Sequence, residues 1–262
     1  MKRPCFLLLI AMFLWVSVLI TASAAYAGEK KEITVSAAAS LTNAFTEIGR
    51  DFELANPGVK VNLNFGASGA LYRQIAQGAP VDVFAFADQE TMDTAQRQGH
   101  VMPGSRRNFA GNSLVLIAPA DSKLSMTSLK DLLGGGVRLI GMGNPDSVPN
   151  GRYAKEALER QGLWDAVSKK AVFGADVRQV LDYAARGEID AGFVFSTDAM
   201  SRKGDVRILM EVPVERPILY PIALTSGCAD RKTASGFIDY VMSQKGAEVL
   251  KKYGFKPVAG QN

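Results

Sequence analysis

Four short turns rich in Ser, Gly and Asn each precede a segment with helical spacing, and none of them carries a positive charge. They are residues 37–40, 65–69, 148–151 and 174–177. The start of a helix leaves backbone N–H groups unpaired and carries a partial positive charge, so it can bind an anion. Four such starts in one chain predict a cage of neutral hydrogen-bond donors around a small anion.

The candidate donors of this cage are two serine side chains and two backbone N–H groups. Ser40 follows three alanines, whose small side chains let a ligand approach the backbone. Ser68 lies between Gly66 and Gly69, which allow the same close approach. In the other turns the backbone N–H groups of Asn150 and Val177 are the candidates, and Asp176 is predicted to cap the helix that Val177 begins. Each residue also fits a purely structural role as a helix cap or a turn residue.

Strand and helix patterns alternate along the chain, which predicts an α/β fold with mostly parallel sheets between helices. Ligands of such sheets bind beyond the carboxyl ends of the strands, where the four turns lie. No Pro- or Gly-rich linker divides the chain, so crossing strands at 112–117 and 219–223 are the candidate hinge. Other expected elements are strands at 59–65, 137–140, 189–195 and 218–224 and helices at 151–161 and 177–185.

The first 27 residues are typical of a secretory signal peptide. Lys2 and Arg3 precede an apolar run over residues 6–20, and Ala25-Tyr26-Ala27 fits a cleavage site, so residues 1–27 are expected to be removed. A second cleavage site at 22–24 and an uncleaved anchor are the alternatives. Cys5 precedes the apolar run instead of following it, which argues against a lipoprotein anchor.

Charge, cysteine and histidine content exclude several classes of function. The formal charge of the whole chain is +4, and loss of Lys2 and Arg3 leaves +2 on interspersed residues, so binding to nucleic acid is not expected. Cys228 alone remains after cleavage and has no disulfide partner within the chain. His100 is the single histidine, and no metal-ligand spacing is present, so a structural histidine is favoured over a catalytic base.

Nearly the whole mature chain carries ordered segments that resemble one known family. They are 33–35 with 37–44, 78–80 with Asp82, 87–89, 111–115, 143–145 with 148–149, 153–158, 176–178, 198–199 and 252–255. In these segments the chain resembles the periplasmic molybdate-binding proteins of bacterial ABC importers. The segments around Ser40 and Tyr153 are the most specific.

The resemblance implies a two-lobed periplasmic binding protein of type II, with 28–112 and 222–262 as lobe I and 113–221 as lobe II. In the family the oxyanion is held by a serine hydroxyl and N–H, here Ser40, by a second serine, here Ser68, and by two backbone N–H groups, here of Asn150 and Val177. A family tyrosine hydroxyl is missing because Phe195 stands at its position. Ser196 and Thr197 are the candidates to replace that hydroxyl, and the side-chain amide of Asn150 is a further candidate donor.

A site built only of donors suits an oxyanion that carries no proton at neutral pH, such as molybdate or tungstate. The resemblance further implies delivery to an ABC permease by a monomeric protein in the periplasm, without a cofactor. The alternatives are a binding protein for sulfate, a carboxylate or ferric iron, and a secreted enzyme. The four turns largely lack the Tyr, His and carboxylate ligands that ferric iron requires.

Overall fold

A computed structural model describes residues 31–258, so the predicted signal peptide lies outside the described residues. In chain order the strands are β1 (Lys31–Ala38), β2 (Val59–Gly66), β3 (Val83–Ala85), β4 (Arg107–Asn112), β5 (Leu114–Pro119), β6 (Ile140–Gly143), β7 (Ala171–Gly174), β8 (Ala191–Phe195), β9 (Val206–Glu211) and β10 (Ile218–Leu224). The helices are α1 (Thr42–Ala55), α2 (Ser68–Ala76), α3 (Gln89–Arg97), α4 (Pro149–Glu159), α5 (Trp164–Val167), α6 (Val177–Ala185), α7 (Ser196–Ser201), α8 (Arg231–Met242) and α9 (Gln244–Lys252).

The strands form two five-stranded sheets, one in each lobe, with the orders β2-β1-β3-β10-β4 and β7-β6-β8-β5-β9. In each sheet four strands run in one direction. The fifth, β10 in the first sheet and β5 in the second, runs antiparallel to both of its neighbours. This arrangement confirms the α/β two-lobed fold and makes each sheet mixed, because the strand that enters a lobe from the other one is inserted antiparallel.

The chain crosses between the lobes twice. β4 passes directly into β5 through Ser113, within the expected hinge at 112–117, and residues 212–217 lead from β9 back to β10. The second hinge expected at 219–223, and the boundary expected after residue 221, are wrong. Ile218 already pairs with Asn112 of the first sheet, so residues 218–221 belong to lobe I. Pro213 and Pro217 lie near the two ends of this crossing and have no N–H to donate to a strand ladder.

Two strands begin later than predicted, and one of them is the strand expected at 189–195, which is observed as Ala191–Phe195. The strand expected at 137–140 is observed as Ile140–Gly143, because the carboxylate of Asp190 accepts the N–H groups of Arg138 and Leu139 at 2.7 and 2.9 Å. The N–H groups of these two residues therefore bond a side chain instead of the backbone of a neighbouring strand. Helix α6 has the bounds predicted for it, and α4 starts two residues earlier than expected, with Pro149 as its first residue.

Helix α1 shows how the apolar pattern fixes the lobe interior. Phe45, Ile48 and Phe52 are at most 4% exposed and recur on one face of the helix. The rings of Phe45 and Phe52 pack edge-on against Phe237 of α8, with centroids 6.0 and 5.4 Å apart. This packing holds the turn before α1, which contains Ser40, against the sheet. Among the helices of the described region, none has the length and apolar character needed to cross a bilayer.

Candidate functional site

One small cavity between the lobes is lined by Ser40, Ser68, Asn150, Val177 and Phe195, the five residues singled out from the sequence. Each of them is at most 4% exposed. Small or capping residues complete the wall: Ala38, Ala39, Gly66, Ala67, Ala87, Val148, Pro149 and Asp176. The cavity volume is about 10 Å³, far below the ~300–1,000 Å³ of typical pockets for drug-sized ligands. It therefore excludes any ligand larger than a small ion or molecule.

Ser40 lies in a single 3₁₀ turn, Ala39–Leu41, between the end of β1 and the start of α1. The residues at the two cap positions are Ala38 and Leu41, and neither makes a side-chain cap bond, so Ser40 is not an N-cap. Its Oγ lies 3.0 Å from the hydroxyl oxygen of Tyr220 on β10. The hydroxyl of Ser40 is thus held at the cavity wall by strand β10 of its own lobe.

Ser68 is the first residue of α2, and its hydroxyl takes no part in capping that helix. Its Oγ instead accepts the backbone N–H of Ala87 at 3.0 Å. Because the serine oxygen is the acceptor in this bond, the serine hydrogen stays available for a ligand. Ser68 is therefore presented to the cavity as a donor by a neighbouring loop of the same lobe.

Asn150 is the second residue of α4, which opens with Pro149 after Val148 at the N-cap. Its backbone N–H belongs to the first turn, where helical residues have no intrahelical acceptor. Its side-chain Nδ2 donates to the carbonyl of Phe193 on β8 at 2.8 Å. The amide that was expected to add a donor to the site therefore ties α4 to β8 instead. A Cβ on Gly151 would lie 1.9 Å from the carbonyl oxygen of Gly143, so α4 rests directly on β6.

Val177 begins α6 behind the cap that the sequence predicts. The carboxylate of Asp176 accepts the N–H groups of Arg178 and Gln179 at 2.8 and 3.0 Å, and it leaves the N–H of Val177 out of the cap. Val177 is 4% exposed and lines the cavity. Its N–H is thus a backbone donor at a buried helix start, which suits an anion.

Phe195 ends β8 and brings an apolar ring to the cavity wall. The residues considered as replacements for the missing tyrosine hydroxyl bond elsewhere. Ser196 Oγ donates to Oδ1 of Asn112 at 2.8 Å, and Thr197 Oγ1 accepts from Nδ2 of Asn112 at 3.0 Å. Neither residue lines the cavity. Sequence reasoning missed Asn112 and Tyr220, which connect these hydroxyl groups to Ser40, because strand patterns mark such positions only as core.

The described residues that line the cavity include no lysine, arginine or histidine. Arg178, next to Val177, places its Nε 2.8 Å from Oδ1 of the fully buried Asp198. Burial raises the pKa of Asp198 to about 6, and the charge of Arg178 opposes that rise. Because Asp198 balances Arg178, the donors that an anion in the cavity would meet are neutral, and the carboxylate of Asp176 at the wall is engaged by the N–H groups of Arg178 and Gln179.

The two lobes are closed over the cavity by contacts that cross the cleft. The N–H of Gly69 in α2 donates to the carbonyl of Ser147 in the other lobe at 3.0 Å. Arg152 of α4 reaches across to Asp88, with 3.6 Å between Nη2 and Oδ2, and donates to Thr91 Oγ1 at 3.1 Å. Burial raises the pKa of Asp88, against the lowering effect of Arg152. These contacts exist only when the lobes approach each other.

Residues 33–256 match the family of bacterial extracellular solute-binding proteins. The chain belongs to this family. A relative of this solute-binding protein, the molybdate-binding protein ModA of Escherichia coli (strain K12), is 40% identical, with 87% of this chain and 90% of the relative covered. A putative ABC transporter substrate-binding lipoprotein of Bacillus subtilis (strain 168), YvgL, is 36% identical, with 97% and 98% covered. The solved periplasmic molybdate-binding protein of Azotobacter vinelandii has a TM-score of 0.76 at 28% identity, over 85% of this chain and 98% of that chain.

Family membership makes this solute-binding protein a binding protein and not an enzyme, and it places the chain outside the cytoplasm. The single histidine fits that conclusion, because His100 Nδ1 lies 3.1 Å from the hydroxyl oxygen of Tyr72, away from the cavity lining. Over the described part of the chain, no cluster of His, Cys, Asp and Glu side chains is suited to hold a metal cation.

Proposed function

We propose that this solute-binding protein captures molybdate, and tungstate equally well, in the cavity between its lobes. The observation that supports this most directly is the convergence of four predicted donor turns from two lobes on a small cavity whose described lining carries no cation. The relatives from E. coli and A. vinelandii are named molybdate-binding proteins, which favours molybdate over sulfate.

The donor set explains why a fully deprotonated tetrahedral dianion is preferred. The hydroxyl groups of Ser40 and Ser68 and the N–H groups of Asn150 and Val177 can all donate to oxygen. A protonated phosphate would bring an O–H group that the two backbone N–H groups cannot accept, so a serine hydroxyl would have to accept it instead of donating to the anion. We expect discrimination against the smaller sulfate to come from the fit of the anion between the closed lobes, whereas tungstate and molybdate are nearly equal in size.

Neutral donors can supply the affinity that capture requires. A hydrogen bond to a charged group contributes ~1.5–3 kcal/mol, so a handful of them supports micromolar to nanomolar binding after the costs of association. Phe195 contributes no bond, so this site works with one hydroxyl fewer than the family pattern. No cofactor is needed for this function.

Closure of the lobes connects binding to transport. Contacts such as the bond from Gly69 to Ser147 form only in the closed state, so an anion bonded by both lobes shifts the population toward that state. The protein, a monomer in the periplasm, then delivers the bound anion to an ABC permease of the inner membrane. Closure of the lobes presents the surface that the permease contacts. Cleavage of residues 1–27 releases the protein for this role.

Titration calorimetry on the chain beginning at Gly28 tests the proposal with molybdate, tungstate, sulfate and phosphate as separate titrants. We expect tight binding of molybdate and tungstate, weaker binding of sulfate and no binding of phosphate. Tight binding of sulfate without a response to molybdate would reject the proposed specificity. Binding of molybdate that is lost in ~0.5 M salt would reject the neutral donor site, since only exposed charge pairs are screened so strongly.

A further inference from the structure

The side-chain amide of Asn112 occupies the first lobe crossing in a fixed orientation. Its Oδ1 accepts two hydrogen bonds, from the N–H of Ser113 at 2.9 Å and from the hydroxyl of Ser196 at 2.8 Å. The N–H of Ser113 can only donate, so the oxygen of the amide must face it. The Nδ2 group therefore faces the opposite side, toward Thr197 and Tyr220.

Both hydrogens of Asn112 Nδ2 are used. One is donated to Thr197 Oγ1 at 3.0 Å and the other to the hydroxyl oxygen of Tyr220 at 3.1 Å. An amide nitrogen cannot accept, so Tyr220 is the acceptor in this bond and keeps its own hydrogen for another partner. That partner is Ser40 Oγ, 3.0 Å away.

We propose that Tyr220, oriented by Asn112, is a positioning residue that fixes the Ser40 hydroxyl as a donor to the bound anion. With the Tyr220 hydrogen on one lone pair of Ser40 Oγ, the hydrogen of Ser40 is directed to the cavity. This inference rests on the proposed function, because it concerns how the site holds its oxyanion.

Two further observations support this direction of donation. Ser68 Oγ accepts the N–H of Ala87, so the other serine of the site already receives a hydrogen bond from its own lobe, as Ser40 would from Tyr220. Tyr220 is fully buried, and burial raises the pKa of its hydroxyl, so the phenol keeps the hydrogen that it donates. A hydroxyl that already accepts a hydrogen bond is also a stronger donor, since linked hydrogen bonds polarise one another.

The proposed relay, the hydrogen bonds from Asn112 through Tyr220 to Ser40, also affects which anion the site prefers. A free serine hydroxyl can donate or accept, and as an acceptor it would tolerate the O–H group of hydrogen phosphate. Ser40 that accepts from Tyr220 and donates to the anion has one lone pair left, so it accepts that O–H group less readily. Loss of the Tyr220 hydroxyl should therefore narrow the difference in affinity between molybdate and phosphate, an effect that a purely structural role of Tyr220 would not produce.

Tyr220→Phe removes the hydroxyl and keeps the ring, and Tyr72→Phe is the matched control. Tyr72 is also a buried phenol with hydrogen-bond partners, Gln98 and His100, but it does not line the cavity. We expect the dissociation constant for molybdate, measured by calorimetry, to rise about three- to tenfold in Tyr220→Phe. The control should bind as the unaltered protein does.

A double-mutant cycle with Ser40→Ala separates positioning from packing. If Tyr220 acts through Ser40, Tyr220→Phe has no further effect once Ser40 is alanine. An equal loss in both backgrounds, or unchanged binding by Tyr220→Phe, would overturn the inference and leave the proposed function intact. Failure of the unaltered protein to bind molybdate would overturn both.

Asn112→Asp provides a second variant should Tyr220→Phe not fold. It presents an oxygen where Nδ2 stands, and that oxygen accepts the Tyr220 hydrogen in place of Ser40 Oγ. We expect weaker molybdate binding, with a smaller loss in the Ser40→Ala background because only the effect of the added charge remains there. Equal losses in the two backgrounds would refute the relay.

Discussion

Gly69→Ala should weaken anion binding while it stabilises the unliganded fold. A Cβ at residue 69 would lie 2.7 Å from the carbonyl oxygen of Ser147 and 3.0 Å from its Cα. Ordinary contacts begin at 3.4 Å, so the cleft must open by about 0.7 Å at this point. Both contacting atoms are backbone atoms of the opposite lobe, so neither can turn aside as a flexible side chain would.

The cost of this substitution falls on the closed state alone. An overpacked contact costs ~1–3 kcal/mol, and stretching the bond from Gly69 N–H to Ser147 removes part of a further ~0.5–1.5 kcal/mol. The expected loss of binding energy is about 1–3 kcal/mol, or roughly 5- to 150-fold in dissociation constant. In the open protein the same change replaces glycine by alanine inside α2, which favours the helix by ~0.5–1 kcal/mol.

Calorimetry with molybdate and thermal unfolding without ligand measure these two effects separately. Gly236→Ala in α8 is the matched control, because a Cβ there would come no closer than 3.8 Å to Phe52. The control should raise the melting temperature without a change in affinity. If Gly69→Ala binds molybdate as tightly as the unaltered protein, the closed contact between the lobes does not form as the structure shows it, and the reasoning fails.

Three further predictions concern single side chains. Ser40→Ala and Ser68→Ala should each weaken molybdate binding by about 1–3 kcal/mol without unfolding the protein; unchanged calorimetric affinity in both would remove these residues from the site. Phe195→Tyr places a hydroxyl at the cavity wall and should leave binding unchanged or strengthen it by up to ~1.5 kcal/mol, so a marked loss would show a different arrangement of the site. The pKa of Asp198, raised to about 6, means that the folded state binds more protons than the unfolded state between pH ~4 and 6, so this group lowers stability as pH rises through that window. Denaturant unfolding should show that the free energy of unfolding falls with rising pH in the unaltered protein relative to Asp198→Asn. Parallel pH profiles of that free energy for the two proteins would contradict this prediction.

The sequence predicts the positions of the turns well, because each depends on local chemistry. Asp176 is a strong N-cap, and α6 begins at the next residue as expected. Small residues before Ser40 and Ser68 indicate close approach to the backbone, and both serines line the cavity. Their role in binding the anion stays a prediction that the variants above test.

The parts that could not be predicted depend on residues far apart in the chain. β6 starts late because Asp190 bonds residues about 50 positions before it. The hinge boundary shifts because Ile218 pairs with Asn112, and no local pattern marks that partner. The bond between Ser40 and Tyr220 spans 180 residues, so only the folded chain reveals it.

A crystal structure of the protein grown with molybdate tests the central claim most directly, since the metal's anomalous scattering locates the ion without ambiguity. The account predicts the ion in the cavity between the lobes, within hydrogen-bond distance of the hydroxyl groups of Ser40 and Ser68 and the N–H groups of Asn150 and Val177. An ion bonded instead by Arg178 and Lys252, which line the neighbouring groove, would contradict it.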